Sequence, residues 1–457
     1  MKFLITLSLF LGINAYAETL TLDEVLSSTK EHFPLIQKSY EDIVAAKAKR
    51  RSAIGGFDAS IDGKLDQRPQ GYYDGQSQSV KIVKPLQSFG AKVYGGYRVS
   101  EGSYPDYEGK YNTLDNGEYS VGVALSLWRD SFIDSKRLKL RNSELDVSIA
   151  ENAYQQAVLK YQSLAMKSYW EWVAYGKTLR IQKELLEMAQ KRTFGLERRS
   201  NRGDLAKIYL TENNQYIVKR KADVLKAQQS FEQLSYELSL FYRNKKGEPV
   251  IPRLGSVPEN MLDITPMDIT AEEKKLQEIL KKTPQIQILK NEILSYKNEK
   301  EFGENSLKPK VDFNVELSDD QGDGPKNLRP TEVRAMVNFS VPLERNLGNG
   351  QTQAAEAKIR ALEKELAYLE QYTKVTLDRL IVQLNIASQI ITNTAKEIEY
   401  AETLRQAEYK KFQQGASDFF VVNLREQNKA DAQVKQVDAY LKYQKAYAEY
   451  LYLMLSF

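Results

Sequence analysis

The chain has 457 residues, with 65 Lys and Arg against 61 Asp and Glu, a formal net charge of +4, 28 Tyr and no Cys. Charge spread this evenly gives no basic footprint for nucleic acid, and the lack of Cys excludes disulfides, thiolate metal sites and a lipidated N-terminal Cys. After the first residues no stretch reaches the roughly 20 apolar residues of a spanning helix, so a helical bundle in an inner membrane is excluded and a closed barrel is the remaining way to span.

In chain order, residues 1–17 carry Lys2, an apolar run from Phe3 to Ile13 and the small-residue pattern Ala15-Tyr16-Ala17. This is the layout of a signal peptide cleaved after Ala17, the run being too short for a membrane anchor. The rest reads as two related halves, 18–243 and 270–457, joined by a linker over 244–269 that holds Gly247, Pro249, Pro252, Gly255, Pro258 and Pro266. The first half opens on a helix beginning at Leu20-Thr21-Leu22-Asp23-Glu24 and passing Phe33-Pro34 to about Arg51. The second opens on a similar helix from Thr270-Ala271-Glu272-Glu273 through Thr283-Pro284 to about Phe302. Each Pro stands where a second helical segment should start.

Alternating residues follow each helix, the period-two signal of a two-faced strand. Phe57, Ala59, Ile61 and Leu65 alternate with polar residues, and Tyr119, Val121, Val123, Leu125 and Leu127 alternate with the small residues Ser120, Gly122, Ala124 and Ser126. Val311, Phe313, Val315 and Leu317 repeat the pattern in the second half, followed by Val333, Ala335, Val337, Phe339 and Val341. These runs approach the roughly 9–11 residues of a tilted transmembrane strand. Segments 102–116 and 319–330, rich in Gly, Asp, Asn and Pro, read as hairpin loops. A soluble antiparallel sheet packed on one face shows the same alternation. Further alternation between Arg68 and Ser100, with Val80, Ile82, Leu86, Val93, Tyr97 and Val99, has no second-half counterpart. It either adds a hairpin or lengthens the strands.

A very long Pro-free helix comes next in each half, from about Asp134 to Arg199 and from about Gln351 to Gln413. Each would extend roughly 90–100 Å. Leu362, Leu366 and Leu369, then Leu377, Leu380 and Leu384, hold the three-and-four spacing of a packing seam. Both helices end at a Gly, Gly203 and Gly415, where a left-handed cap can reverse the chain into a returning helix. Leu210-Thr211-Glu212-Asn213-Asn214 matches Leu424-Arg425-Glu426-Gln427-Asn428, and Ala153-Tyr154-Gln155-Gln156 lies opposite Ala367-Tyr368-Leu369-Glu370 in the same register. Duplication explains both.

Catalytic chemistry finds no footing. The single His, His32, stands beside Phe33-Pro34 without a spaced partner. No phosphate loop, nucleophile elbow or His-based metal spacing is present, so no catalytic residue, cofactor site or metal site is read.

Helix, strands, long helix, Gly turn and returning helix, all repeated, resemble the TolC family of outer-membrane efflux proteins over essentially the whole chain after Ala17. The most specific local element is Tyr409-Lys410-Lys411-Phe412-Gln413-Gln414-Gly415-Ala416-Ser417-Asp418-Phe419-Phe420, followed by Val422-Asn423-Leu424-Arg425-Glu426, which looks like that family's second periplasmic turn. The resemblance implies a mainly α fold with membrane β-structure. Three copies would each give four strands to a twelve-stranded barrel in the outer membrane of a Gram-negative bacterium, and their helices to a periplasmic α-helical barrel. It implies an outer-membrane channel of a tripartite efflux or type I secretion system, with lipid around the barrel and a periplasmic adaptor and inner-membrane pump as partners, contacted at the Gly203 and Gly415 turns. Two hairpins in one chain are also too few for a barrel of at least eight strands, which independently calls for an oligomer. Asp204, Glu212, Asp418 and Glu426 are candidate constriction charges that an oligomer would multiply into rings. The same residues near helix starts also serve as caps or dipole partners. The competing reading is a periplasmic coiled-coil structural or adaptor protein that bridges without conducting.

Overall fold

The computed structural model describes residues 19–71, 74–103, 112–204, 206–259, 275–276, 278–324, 328 and 331–456. The expected signal peptide, residues 270–274 and 277 at the expected opening of the second half, and the tips of both expected hairpin loops lie outside the described residues. The chain divides into two units: Met1–Ser39, Gln155–Thr283 and Glu370–Phe457 form the first, Tyr40–Tyr154 and Pro284–Leu369 the second.

Helix α1 (Leu22–His32) starts at a reciprocal cap, in which Glu24 N donates to Thr21 Oγ1 and Thr21 N donates to Glu24 Oε2 at 3.3 and 2.8 Å. It stops at Phe33, which Pro34 forces into an extended conformation. Helix α2 (Pro34–Ile54) then begins on that Pro, whose missing N–H is no loss in a first turn.

In the second unit, α2 gives way to β1 (Ser60–Arg68), β2 (Gly75–Pro85), β3 (Lys92–Gly102) and β4 (Glu118–Ser126). After helix α5 (Pro284–Ser306), again started by a Pro, come β5 (Lys310–Asp320) and β6 (Glu332–Ser340). All six strands form one antiparallel meander in the order β1-β2-β3-β4-β5-β6. The four expected strands are β1, β4, β5 and β6. The alternation between Arg68 and Ser100 is an added hairpin, β2 and β3, so the sheet has two strands more per chain than the resemblance implies. Its turn needs left-handed backbone at Phe89 and Gly90, φ 55° and 59°, and a Cβ on Gly90 would lie 2.5 Å from Asp130 O. Arg137 fastens that turn: its Nε donates to Gln87 O at 2.7 Å and its Nη1 to Asp130 O at 3.1 Å.

The long helices are α3 (Ser135–Asn201) and α6 (Asn346–Gln413), 67 and 68 residues, and segments of both belong to each unit. Their returning helices, α4 (Ile208–Ser239) and α7 (Phe419–Leu453), have 32 and 35 residues. The two long helices, like the two returning ones, are nearly equal in length, as a duplicated chain would have them.

The first unit has its core where α3 and α4 meet the N-terminal segment. Val25, Met166, Trp172, Val173 and Leu238 are essentially buried, and Trp172 Nε1 donates to Ser235 Oγ at 3.1 Å. Residues 244–259 pack onto this core: Arg180 Nη2 donates to Leu254 O and Val257 O at 3.0 and 2.9 Å, and Leu20 N to Ser256 O. The remainder of the expected linker lies outside the described residues. A second cluster joins Leu377, Leu380 and Leu384 of the α6 seam to Tyr443, Ala446 and Tyr450 of α7.

Candidate functional site

The strand register sorts the sheet into two chemically opposite faces. One row runs Ile61, Ile82, Gly95, Val121, Leu317, Val333, and neighbouring rows on that face carry Val93, Val123, Val315 and Ala335, then Leu125, Phe313 and Val337. Its aliphatic side chains are largely exposed, Ile61 at 73% and Val333 at 69%. The opposite face carries Asp62, Lys64, Lys81, Arg98, Glu118, Glu316 and Arg334. Arg98 grips Glu118 at 2.6 Å, Lys81 reaches Glu316 at 3.9 Å and lies over the Tyr94 ring, and Tyr94 OH donates to Asn314 Oδ1 at 2.8 Å. Gly122 makes room for that ring, since a Cβ there would fall 2.4 Å from it.

A soluble sheet hides its apolar face and shows the charged one. Here the apolar face is the bare one and the charged face is internally satisfied, the inverted polarity of a barrel in lipid. At ~3.3 Å per residue and a tilt of ~40°, each nine-residue strand such as β6 rises ~23 Å, close to an apolar band of ~25 Å. Exposed aromatics include Tyr97, midway along β3, in contact with Tyr119 near the loop end of β4, and Phe89, Trp128 and Phe132 on the helix side. Clustered exposed aromatics such as Phe89, Trp128 and Phe132 are the residues that a barrel places at a water–lipid boundary.

The Gly turns of the first unit are built alike. Gly203 N donates to Ser200 O and Asp204 N to Arg199 O; Gly415 N donates to Phe412 O and Ala416 N to Lys411 O. Both are the paired reverse bonds of a Schellman cap, with φ 82° at Gly203 and 75° at Gly415. Arg198 and Arg199, then Lys410 and Lys411, fall in the last helical turns, where cations complement the helix dipole.

Of the four candidate constriction charges, Asp204 is exposed beside the first turn. Asp418 is exposed and caps α7, its Oδ1 accepting from Phe420 N at 2.9 Å. Glu212 is half-buried, and burial, aided by the charge of Asp418, raises its pKa. These two carboxylates from different turns therefore feel one another. Glu426 is different. It is buried at 3% exposure between Arg192 and Arg220, pairing with Arg192 Nη2 and accepting from both Nη atoms of Arg220 at 3.3 Å. Such a carboxylate braces helices within one subunit and offers no charge to a lumen, so the ring reading of Glu426 is corrected.

The bracing cluster was missed from sequence. Arg192 Nη1 also donates to Asn423 Oδ1 at 2.9 Å, Arg220 Nη1 to Leu185 O at 2.9 Å, and Asn213 Nδ2 to Thr193 Oγ1 at 2.9 Å. Beside it Leu196, Phe412, Phe419 and Val422 form a small apolar core, with Arg192 over the Phe419 ring. Its signal was a charge at an apolar position: Leu185, Ala189, Arg192 and Leu196 share one buried stripe of α3. Nearby, hydrogen bonds from Arg405, with help from Lys429 and Gln406, hold Glu402 well below the usual carboxylate range.

Glu212 gives a pH-dependent expectation. A raised folded-state pKa favours the protonated form in the folded protein, so the associated stability is full below the ordinary Glu value and is lost as pH rises through the raised one. Glu212→Gln should therefore stabilise the turn region at pH 7, by less than about 1 kcal/mol after solvent screening, and the gain should vanish near pH 4. Limited proteolysis across the two turns at both pH values measures this. A gain that grows on acidification would contradict it.

No protein-family model and no curated protein matches the chain. Solved structures do. The outer-membrane protein VceC from Vibrio cholerae superposes with TM-score 0.67 at 12% identity, covering 95% of each chain. The outer-membrane channel OprN gives 0.66 at 14% identity, over 95% of this chain and 89% of that one. The Neisseria gonorrhoeae MtrE outer-membrane channel, in its open state, gives 0.65 at 11% identity over 95% and 88%. From its two-faced sheet to its paired Gly turns, the chain has the fold of these outer-membrane channels, the fold expected from its resemblance to the TolC family.

Proposed function

We propose that this chain is the outer-membrane channel of a tripartite efflux or type I secretion system, passing substrates passively from a pump and adaptor through the periplasm and outer membrane. The observation that carries this reading is the inverted sheet: an exposed apolar face backed by a charged, salt-bridged one, on a chain that also holds helices of 67 and 68 residues. The similarity to OprN, VceC and MtrE supports it. On this reading the protein is a homotrimer with no cofactor and no enzymatic activity. Lipid surrounds the sheet, and a periplasmic adaptor and inner-membrane pump dock at the Gly203 and Gly415 turns. Asp204, Glu212 and Asp418 remain the charges near those turns that trimerisation would repeat.

Purified protein tests it in planar bilayers. Discrete conductance steps from a detergent-dependent, heat-modifiable oligomer are expected. A freely soluble periplasmic monomer without conductance would favour the coiled-coil adaptor reading.

A further inference from the structure

The sheet leaves two strands half-paired, and the edges complement each other. β1 and β6 are the outermost strands, nine residues each and nearly all exposed. Five successive antiparallel pairings make β6 run opposite to β1, so a second copy can add its β1 to β6 as one more antiparallel neighbour. Six strands are too few to close within one chain, since outer-membrane barrels need at least eight. Unpaired strand edges cannot face lipid, because no water is there to satisfy them.

Resting on the channel reading, we infer that β1 of one copy pairs with β6 of the next with Ser60 opposite Ser340 and Arg68 opposite Glu332, so that three copies close an eighteen-stranded barrel instead of a twelve-stranded one. Three constraints select this register. A slip by one residue would turn Ile61 and Leu65 onto the charged face, away from Val333, Ala335, Val337 and Phe339. A slip by two in one direction opposes Arg68 with Arg334; in the other it opposes Lys64 with Arg334 and Asp66 with Glu332. Like charges directly opposite are destabilising. The inferred register instead opposes Asp66 with Arg334 and Arg68 with Glu332, and apolar Ile61 with Phe339 and Leu65 with Ala335. Barrel diameter grows roughly linearly with strand number, so eighteen strands give a mouth about half again as wide as twelve.

The absence of native Cys makes cross-linking clean. In the full chain assembled in an outer membrane, Asp66→Cys with Arg334→Cys is treated with a bifunctional thiol reagent spanning about 5 Å, the separation of opposed side chains. Covalent dimers and trimers should form at least about tenfold faster than in the diagonal pairs Lys64→Cys with Arg334→Cys and Arg68→Cys with Arg334→Cys, whose side chains lie about 7–8 Å apart. Arg68→Cys with Glu332→Cys reads the same register from a second row, and single-Cys chains control for assembly. Preference for a diagonal pair overturns the register. Oligomers of normal mass in which no pair cross-links overturn the edge pairing while leaving the channel reading standing. A chain that never oligomerises overturns both.

Discussion

Replacing Glu426 by Leu should cost about 3–5 kcal/mol of folding stability, because it strands two guanidinium groups in a dry helix junction. Arg192 and Arg220 have side-chain exposures of only 7% and 3%. Burial already lowers the pKa of Arg220, with the charge of Glu426 as its principal counterweight. Guanidinium groups in proteins keep their charge, so without Glu426 the helices must part or admit water. The triple variant Arg192→Met, Glu426→Leu, Arg220→Met should regain most of the loss, since removing all the charges together is often neutral. Urea unfolding followed by helical circular dichroism measures the difference, and limited proteolysis near residues 202–207 locates it. Were the single variant within about 0.5 kcal/mol of the parent, an ordinary surface-substitution effect, the bracing role would fail.

Val121→Arg should reduce stable insertion by about 2–4 kcal/mol, the cost of a cation on the lipid side near a barrel's midplane. Val121 is in the middle of β4, largely exposed, in the row shared with Ile82 and Leu317. The control is Asn338→Arg, on the charged face and opposite Asp312, where a new cation gains a partner. The measure is the heat-modifiable fraction recovered from outer membranes at equal expression. Equal recovery of the two variants would mean that the apolar face does not meet lipid. The pair isolates the face from the residue, since both introduce the same side chain.

Much of the fold was legible because its signals are local. Pro34 and Pro284 start helices wherever they stand after a capped or broken segment, and Gly203 and Gly415 end helices because their left-handed backbone strains any residue with a Cβ. Period-two runs located β1, β4, β5 and β6 to within about three residues at each end, the usual uncertainty of element boundaries. Pairing is not local. Val80, Ile82 and Tyr97 alternate equally well in a longer strand or an added hairpin. The choice turned on Phe89 and Gly90 adopting positive φ and on Arg137, 47 residues after Gly90, bonding to Gln87 O. The candidate charges divided for a similar reason. Position after a Gly turn correctly marks Asp418 as a cap, whereas the fate of Glu426 depends on Arg192 and Arg220 arriving from two other helices.

The matched lengths of α3 and α6 constrain how such a chain can change. Inserting one residue into either helix rotates everything beyond it by ~100°, carrying seam positions such as Leu380 and Leu384 out of contact. Steps of about seven or eleven residues come closest to restoring the stripe, and a step taken in one half alone would leave its turn out of level with the turn of the other. Descendants of this gene are thus expected to differ in reach by such stripe-preserving steps made together in the long and returning helices of both halves, while sheet hairpins and loop tips remain free to vary by single residues.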